Sequence, residues 1–215
     1  MTDLLRTLAE LVSNRDFDEA LDLCRSAIAQ GLDDAFWSTQ LAYVCFLNEH
    51  NITTYYSSPQ MFQEVCHKYP RNIDACFWYG YALLIVSEQT LYGLEQLRRV
   101  IRLTPDHVYA NIAIAGSTSS LSEKEARLEH ALSIQPDNYR VMEDLSTVLA
   151  KTGGIDRAIG LLERISATPP FIETEYGIMN DYVNGPLTLA RLKDAVRERA
   201  RQKIAALRGQ ANGVG

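Results

Sequence analysis

The sequence predicts an all-α solenoid of about five stacked helical hairpins. Three observations carry this. Proline returns at Pro70, Pro105, Pro136 and Pro170, at intervals of 35, 31 and 34 residues. Each of these prolines closes an amphipathic stretch: FQEVCHKYP, LRRVIRLTP, EHALSIQP and LLERISATPP. Small residues recur within the repeats, where paired helices must approach closely. A period of this size marks a hairpin that cannot bury its own apolar face and stacks on a neighbour instead.

The elements follow in order. Residues 3–14 and 17–30 form the first hairpin, with Asp16 placed to cap its second helix. Residues 35–48 and 59–69 form the second, joined by NITTYYSSP, which reads as a loop with an insertion of about four residues. Residues 73–86 and 89–103 form the third. Residues 107–116 and 121–134 form the fourth, with Ser120 or Ser122 as cap of the latter, and residues 138–151 and 155–167 form the fifth around a Gly153-Gly154 turn. After Pro169-Pro170, residues 172–182 open a possible sixth unit, and Asn184-Gly185-Pro186 reads as a turn. A last helix follows from Leu187, with Leu189, Leu192, Val196, Ala200, Ile204 and Leu207 on one face.

The segment DFDEALDLCRSAIAQGLDD resembles the second helix of a tetratricopeptide repeat. Ala20 and Ala27 fall on that family's small positions, as do Gly80, Ala131 and Ala158 in later units. Gly93, Leu97 and Pro105 come into register with one extra residue in the third turn. Leu145, Ala158, Leu162 and Pro170 match in the fifth unit, and HALSIQPDN matches the family's second-helix ending. The resemblance covers roughly residues 1 to 171. It implies a right-handed superhelical solenoid over 1–186, with units at about 1–34, 35–72, 73–107, 108–138 and 139–171. A C-terminal helix at 187–208 would cap the stack, with Arg197, Arg201 and Lys203 toward solvent, and 209–215 would be a disordered tail.

Composition narrows the function. No stretch is long and apolar enough for a membrane span, and MTDLLRTLAELV lacks the build of a secretory signal, so a cytoplasmic location is expected. Cys24, Cys45, Cys66 and Cys76 lack paired CxxC spacing and read as packed thiols rather than disulfide or metal ligands. Phosphate-loop, dinucleotide, GxSxG and HExxH motifs are missing, and the four histidines are scattered over different units. The chain is therefore read as not an enzyme, with no catalytic, cofactor or metal residues. Residues 191–208 hold seven Lys or Arg against two carboxylates, while the whole chain carries −6. An acidic body of this kind repels phosphate, so no nucleic-acid partner is expected.

The family's concave face is lined by its first helices, and the resemblance places Phe36, Tyr43 and Phe46 of the second unit there. The third unit gives Phe77, Tyr81 and Leu84, the fourth Tyr109 and Ile112, and the fifth Arg140 and Lys151. An aromatic and apolar strip of this kind marks a binding site, or else is buried by tight curvature or by the chain's own terminal segment. Lys and Asn for a carboxylate clamp are mostly missing, so an apolar peptide or amphipathic helix is the expected partner. The functional expectation is an adaptor or chaperone that binds another protein. The rivals are an accessory subunit of an enzyme complex and a self-associating homo-oligomer.

Overall fold

The computed structural model describes residues 2–167 and 194–209. Among these residues there are eleven helices and no strand. They are α1 (Thr2–Asn14), α2 (Phe17–Ala29), α3 (Asp34–Leu47), α4 (Ile52–Lys68), α5 (Ile73–Ile85), α6 (Thr90–Leu103), α7 (Val108–Ser117), α8 (Leu121–Ile134), α9 (Tyr139–Thr152) and α10 (Ile155–Ala167). Residues 194–209 form α11. The expected sixth unit, the turn at Asn184, the start of the last helix and the tail from 210 lie outside the described residues. Contacts divide the chain into two compact units, Met1–Ala113 and Ile114–Gly215.

Short polar side chains start most helices. Asp33, Asn51, Asn72, Ser120 and Asn138 each accept a backbone N–H from the first turn that follows. Such caps satisfy donors that have no partner inside the helix. Asp16 stands in the expected position but makes no capping hydrogen bond. Of the two serines weighed as caps for α8, Ser120 is the one used.

The largest departure is α4. The NITTYYSSP stretch is not a loop: Asn51 caps a helix that runs straight through Pro59. Proline cannot donate to the carbonyl of Tyr55, one turn back. The Ser58 hydroxyl donates to that carbonyl at 2.7 Å instead, and the Ser57 hydroxyl donates to Thr54 O at 2.8 Å. The inserted residues thus lengthen a helix rather than a connection, and they bring Tyr55 onto the core.

In the first unit, α5 packs on both α4 and α6 and also touches α3. Ala42, Phe62, Ala82 and Val86 form a buried cluster, with Tyr43, Phe46, Tyr55, Met61, Trp78 and Tyr79 packed against it. Two glycines set the approach of α5 to α6. A Cβ on Gly93 would meet the Leu84 side chain at 2.6 Å and the Gly80 carbonyl at 2.9 Å, and one on Gly80 would meet Leu97 Cγ at 3.0 Å. No larger side chain fits at that crossing without moving backbone.

The cysteines require a correction. Cys66, near the end of α4, and Cys76, near the start of α5, form a disulfide with 5.0 Å between Cα atoms. Ten residues and a turn separate them in sequence, so only the packing of α4 against α5 reveals the pair. Cys24 and Cys45 are free and buried, as packed thiols should be.

In the second unit, α9 packs between α8 and α10. Ala131 and Ala158 are fully buried, as are Leu145 and Leu162. Val196, Ala200 and Ile204 of α11 are also buried. This helix reaches α9 through Lys203 Nζ, which donates to Glu143 Oε1 at 3.0 Å, and through Arg199, 3.6 Å from Glu143. It reaches α10 through Arg208, 2.6 Å from Glu163. Lys203 therefore turns to Glu143 of α9 while its side chain stays 41% exposed. Ala158→Leu is expected to overpack the α9–α10 pair and cost about 1–3 kcal/mol, read as a lower urea midpoint at unchanged slope.

Candidate functional site

The first-unit residues expected to line a strip come together as a chain of rings. His107 lies 4.8 Å from Phe77, ring centre to ring centre. Phe77 is 5.9 Å from Tyr81, Tyr81 is 6.1 Å from Phe46, and Phe46 is 6.0 Å from Tyr55. Tyr109 joins at Phe77, 6.2 Å away. Helical spacing explains the order. Phe77, Tyr81 and Leu84 follow one face of α5, and Tyr43 with Phe46 follows one face of α3.

Three members of this site escape a reading of the sequence. Trp78 is the hub: it touches Tyr43 at 4.5 Å, Phe46 at 5.7 Å, Phe77 at 5.2 Å, Tyr81 at 5.8 Å and Phe62 at 6.2 Å. Tyr55 arrives with the unexpected first turns of α4. His107 reads from the sequence as a junction residue with no part in the strip. The one signal for Trp78 is its place between Phe77 and Tyr81 on a single helix.

Exposure differs along the run. Tyr43, Phe46, Trp78, Tyr81, Leu84, Tyr109 and Ile112 are half-buried. Phe77 is only 4% exposed, so it supports the rings around it and offers no surface of its own. Phe36 is half-buried and meets Trp37 edge-on at 5.4 Å rather than joining the run. Arg140 and Lys151 lie in the second unit, on α9, and both are exposed.

His107 also caps α7. Its Nδ1 accepts the Ala110 N–H at 3.1 Å, which requires that nitrogen to be unprotonated. Burial pushes its pKa below the ordinary 6.5, although the nearby Asp74 carboxylate pulls it partly back. The folded protein thus prefers neutral His107, and the unfolded chain binds the proton first. Stability from this site is complete above about pH 6.5 and falls as pH drops below it, through the lower folded value. Thermal midpoints near pH 7.5 and pH 5.5 check this. The wild type is expected to lose more on acidification than His107→Asn, which keeps a capping acceptor but does not titrate.

A concavity lies between α3 and α4. It has a volume of about 230 Å³ and is lined by Ser38, Leu41, Met61, Glu64, Val65, Lys68 and Tyr69. At its edge Asp34 accepts from Lys68 Nζ and from Tyr69 OH, both at 2.5 Å, and from Ser38 Oγ at 2.9 Å. These hydrogen bonds, led by that of Lys68, hold the Asp34 carboxyl down at about 2. Asp34 is thereby committed to tying α3 to α4.

No family model and no curated protein matches the chain. Solved structures do match it. The thermophilic TPR protein TTC0263 of Thermus thermophilus superposes with a TM-score of 0.59 at 16% identity, over 91% of this chain and 97% of that one. The chain has the tetratricopeptide-repeat fold. MamA (41-end) from Desulfovibrio magneticus RS-1 matches with a TM-score of 0.56 at 15% identity, over 77% of this chain and 91% of that one. YrrB, described as a TPR protein with an unusual peptide-binding site, matches with a TM-score of 0.52 at 15% identity, over 89% and 90% of the two chains. Helices α3, α5 and α7 carry Phe46, Tyr81 and Tyr109. None of the described helices is long and apolar enough to cross a membrane.

Proposed function

We propose that this chain is a non-enzymatic protein-interaction adaptor. In this reading the half-buried aromatic strip of the first unit binds an apolar segment of another protein. The observation that carries it is the continuous run of rings from His107 to Tyr55, most of them only half-buried. Aromatic rings held in a rigid scaffold give large contact area at little entropic cost, which is what a peptide anchor needs. YrrB, a neighbour in fold, is described as having an unusual peptide-binding site, which supports this reading.

Arg140 and Lys151, expected from the sequence to extend the strip, are exposed on α9 of the second unit. Glu143, also on α9, is engaged by Lys203 and Arg199 of α11. The test is selection from a displayed random-peptide library. Wild-type protein is expected to enrich peptides with two or more large apolar or aromatic residues. The Tyr43→Ala/Tyr81→Ala variant is expected to recover none of them. Enrichment of the same peptides by both proteins would place recognition elsewhere.

A further inference from the structure

The charge around the aromatic run is one-sided. Residues 1–113 hold eight Lys or Arg against fourteen Asp or Glu, so the chain's whole net charge of −6 belongs to this unit. The helices that present the rings are emptier still. Across α3, α5 and residues 108–113 there is no Lys or Arg, and the carboxylates are Asp34 and Asp74; α4, which carries Tyr55 in its first turns, adds Glu64 and Lys68 near its other end. Asp34 is occupied by Lys68 and Tyr69.

Asp74 and Glu49 stand at opposite ends of the run, and both are exposed. Asp74 precedes Phe77 by three residues on α5, hence on the same face, and its charge reaches His107. Glu49 follows Phe46 by three residues, just past the end of α3, and its charge reaches Tyr55. Between these ends lie four ring-to-ring steps of 4.8, 5.9, 6.1 and 6.0 Å. That distance accommodates at most about seven residues of extended chain. Ring faces attract cations as well as apolar groups, and Lys68, the one Lys or Arg on α3, α4, α5 and α7, is held by Asp34.

We propose that the aromatic run takes a short protein segment with a basic residue at each end of an apolar stretch, the two cations meeting Asp74 and Glu49. This rests on the reading of the strip as a binding surface and adds the chemistry of its occupant. Exposed ion pairs are individually weak, so the basic ends set selectivity while the apolar centre sets affinity.

The test uses three fluorescent peptides with one shared centre of Leu and Phe and blocked termini. One carries Lys at both ends of the centre, one Gln and one Glu. Anisotropy titrations at low salt are expected to rank Lys over Gln by about tenfold, with Glu weaker still. Asp74→Asn/Glu49→Gln is expected to abolish the preference for Lys while binding the Gln peptide as the wild type does. That retained affinity also reports an intact fold. Equal binding of the Lys and Gln peptides by wild type, or a preference that survives in the double variant, would overturn the proposal and leave the binding surface standing. Failure of all three peptides to bind would remove the binding surface itself, and this proposal with it.

Discussion

Phe62→Ala is expected to lower the unfolding free energy by about 3–5 kcal/mol, the cost of removing a fully buried phenyl ring from a core that cannot collapse around the space. Phe62 has no exposed surface and sits in the cluster of Ala42, Ala82 and Val86. Three of its surroundings are already small or stiff, since Ala42 and Ala82 have little to move and Trp78 is held by contacts on several sides. Denaturation in urea, followed by helical circular dichroism, measures the loss at constant slope. A loss under about 1 kcal/mol would mean that α4 does not carry its ring into this core.

Much of the fold is legible in the sequence because repeat spacing and helix amphipathicity are local properties. The prolines at Pro70, Pro105 and Pro136 do follow helix ends, Gly80 does occupy a close approach, and Ala131 and Ala158 are fully buried. Asn51, Asn72 and Asn138 each stand just before a helix, and an asparagine so placed is a local cap signal of the same kind. Two features are not legible, for physical reasons. Proline and two serines ordinarily signal a break, whereas here the serine hydroxyls answer the carbonyls of the same turn and the helix continues. The Cys66–Cys76 bond depends on where α5 lies against α4, which no spacing in the chain encodes.

The site is half visible. Helical position assigns Tyr43, Phe46, Tyr81 and Tyr109 to one strip, and their rings do join through Phe77 and Trp78. The same rule cannot separate Phe77, which is buried, from Tyr81, which is partly open, because burial depends on the neighbouring hairpin. Nor can it place Tyr55, which stands in a stretch that reads as a loop. The terminal helix is expected from its apolar stripe, and the side chains that hold it, Glu143 and Glu163, become evident only from the packing of the second unit.

The second large effect concerns binding. Tyr43 and Tyr81 both contact Trp78, at 4.5 and 5.8 Å, and both are half-buried. Anchor side chains of this kind contribute about 2 kcal/mol or more each when truncated, so removing both should weaken a bound apolar segment at least about a hundredfold. Truncation at a half-buried position also costs some packing, so the fold must be followed in the same samples by circular dichroism and thermal midpoint. Arg140→Ala/Lys151→Ala serves as the control, with an expected change of less than about tenfold.

The most direct measurement is a titration of one selected peptide against wild type, Tyr43→Ala/Tyr81→Ala and Arg140→Ala/Lys151→Ala. If the aromatic strip is the recognition surface, the tyrosine variant loses about a hundredfold or more in affinity while its helical content is unchanged. If that variant stays folded and binds within about threefold of wild type, the aromatics serve the core alone and the working surface lies elsewhere.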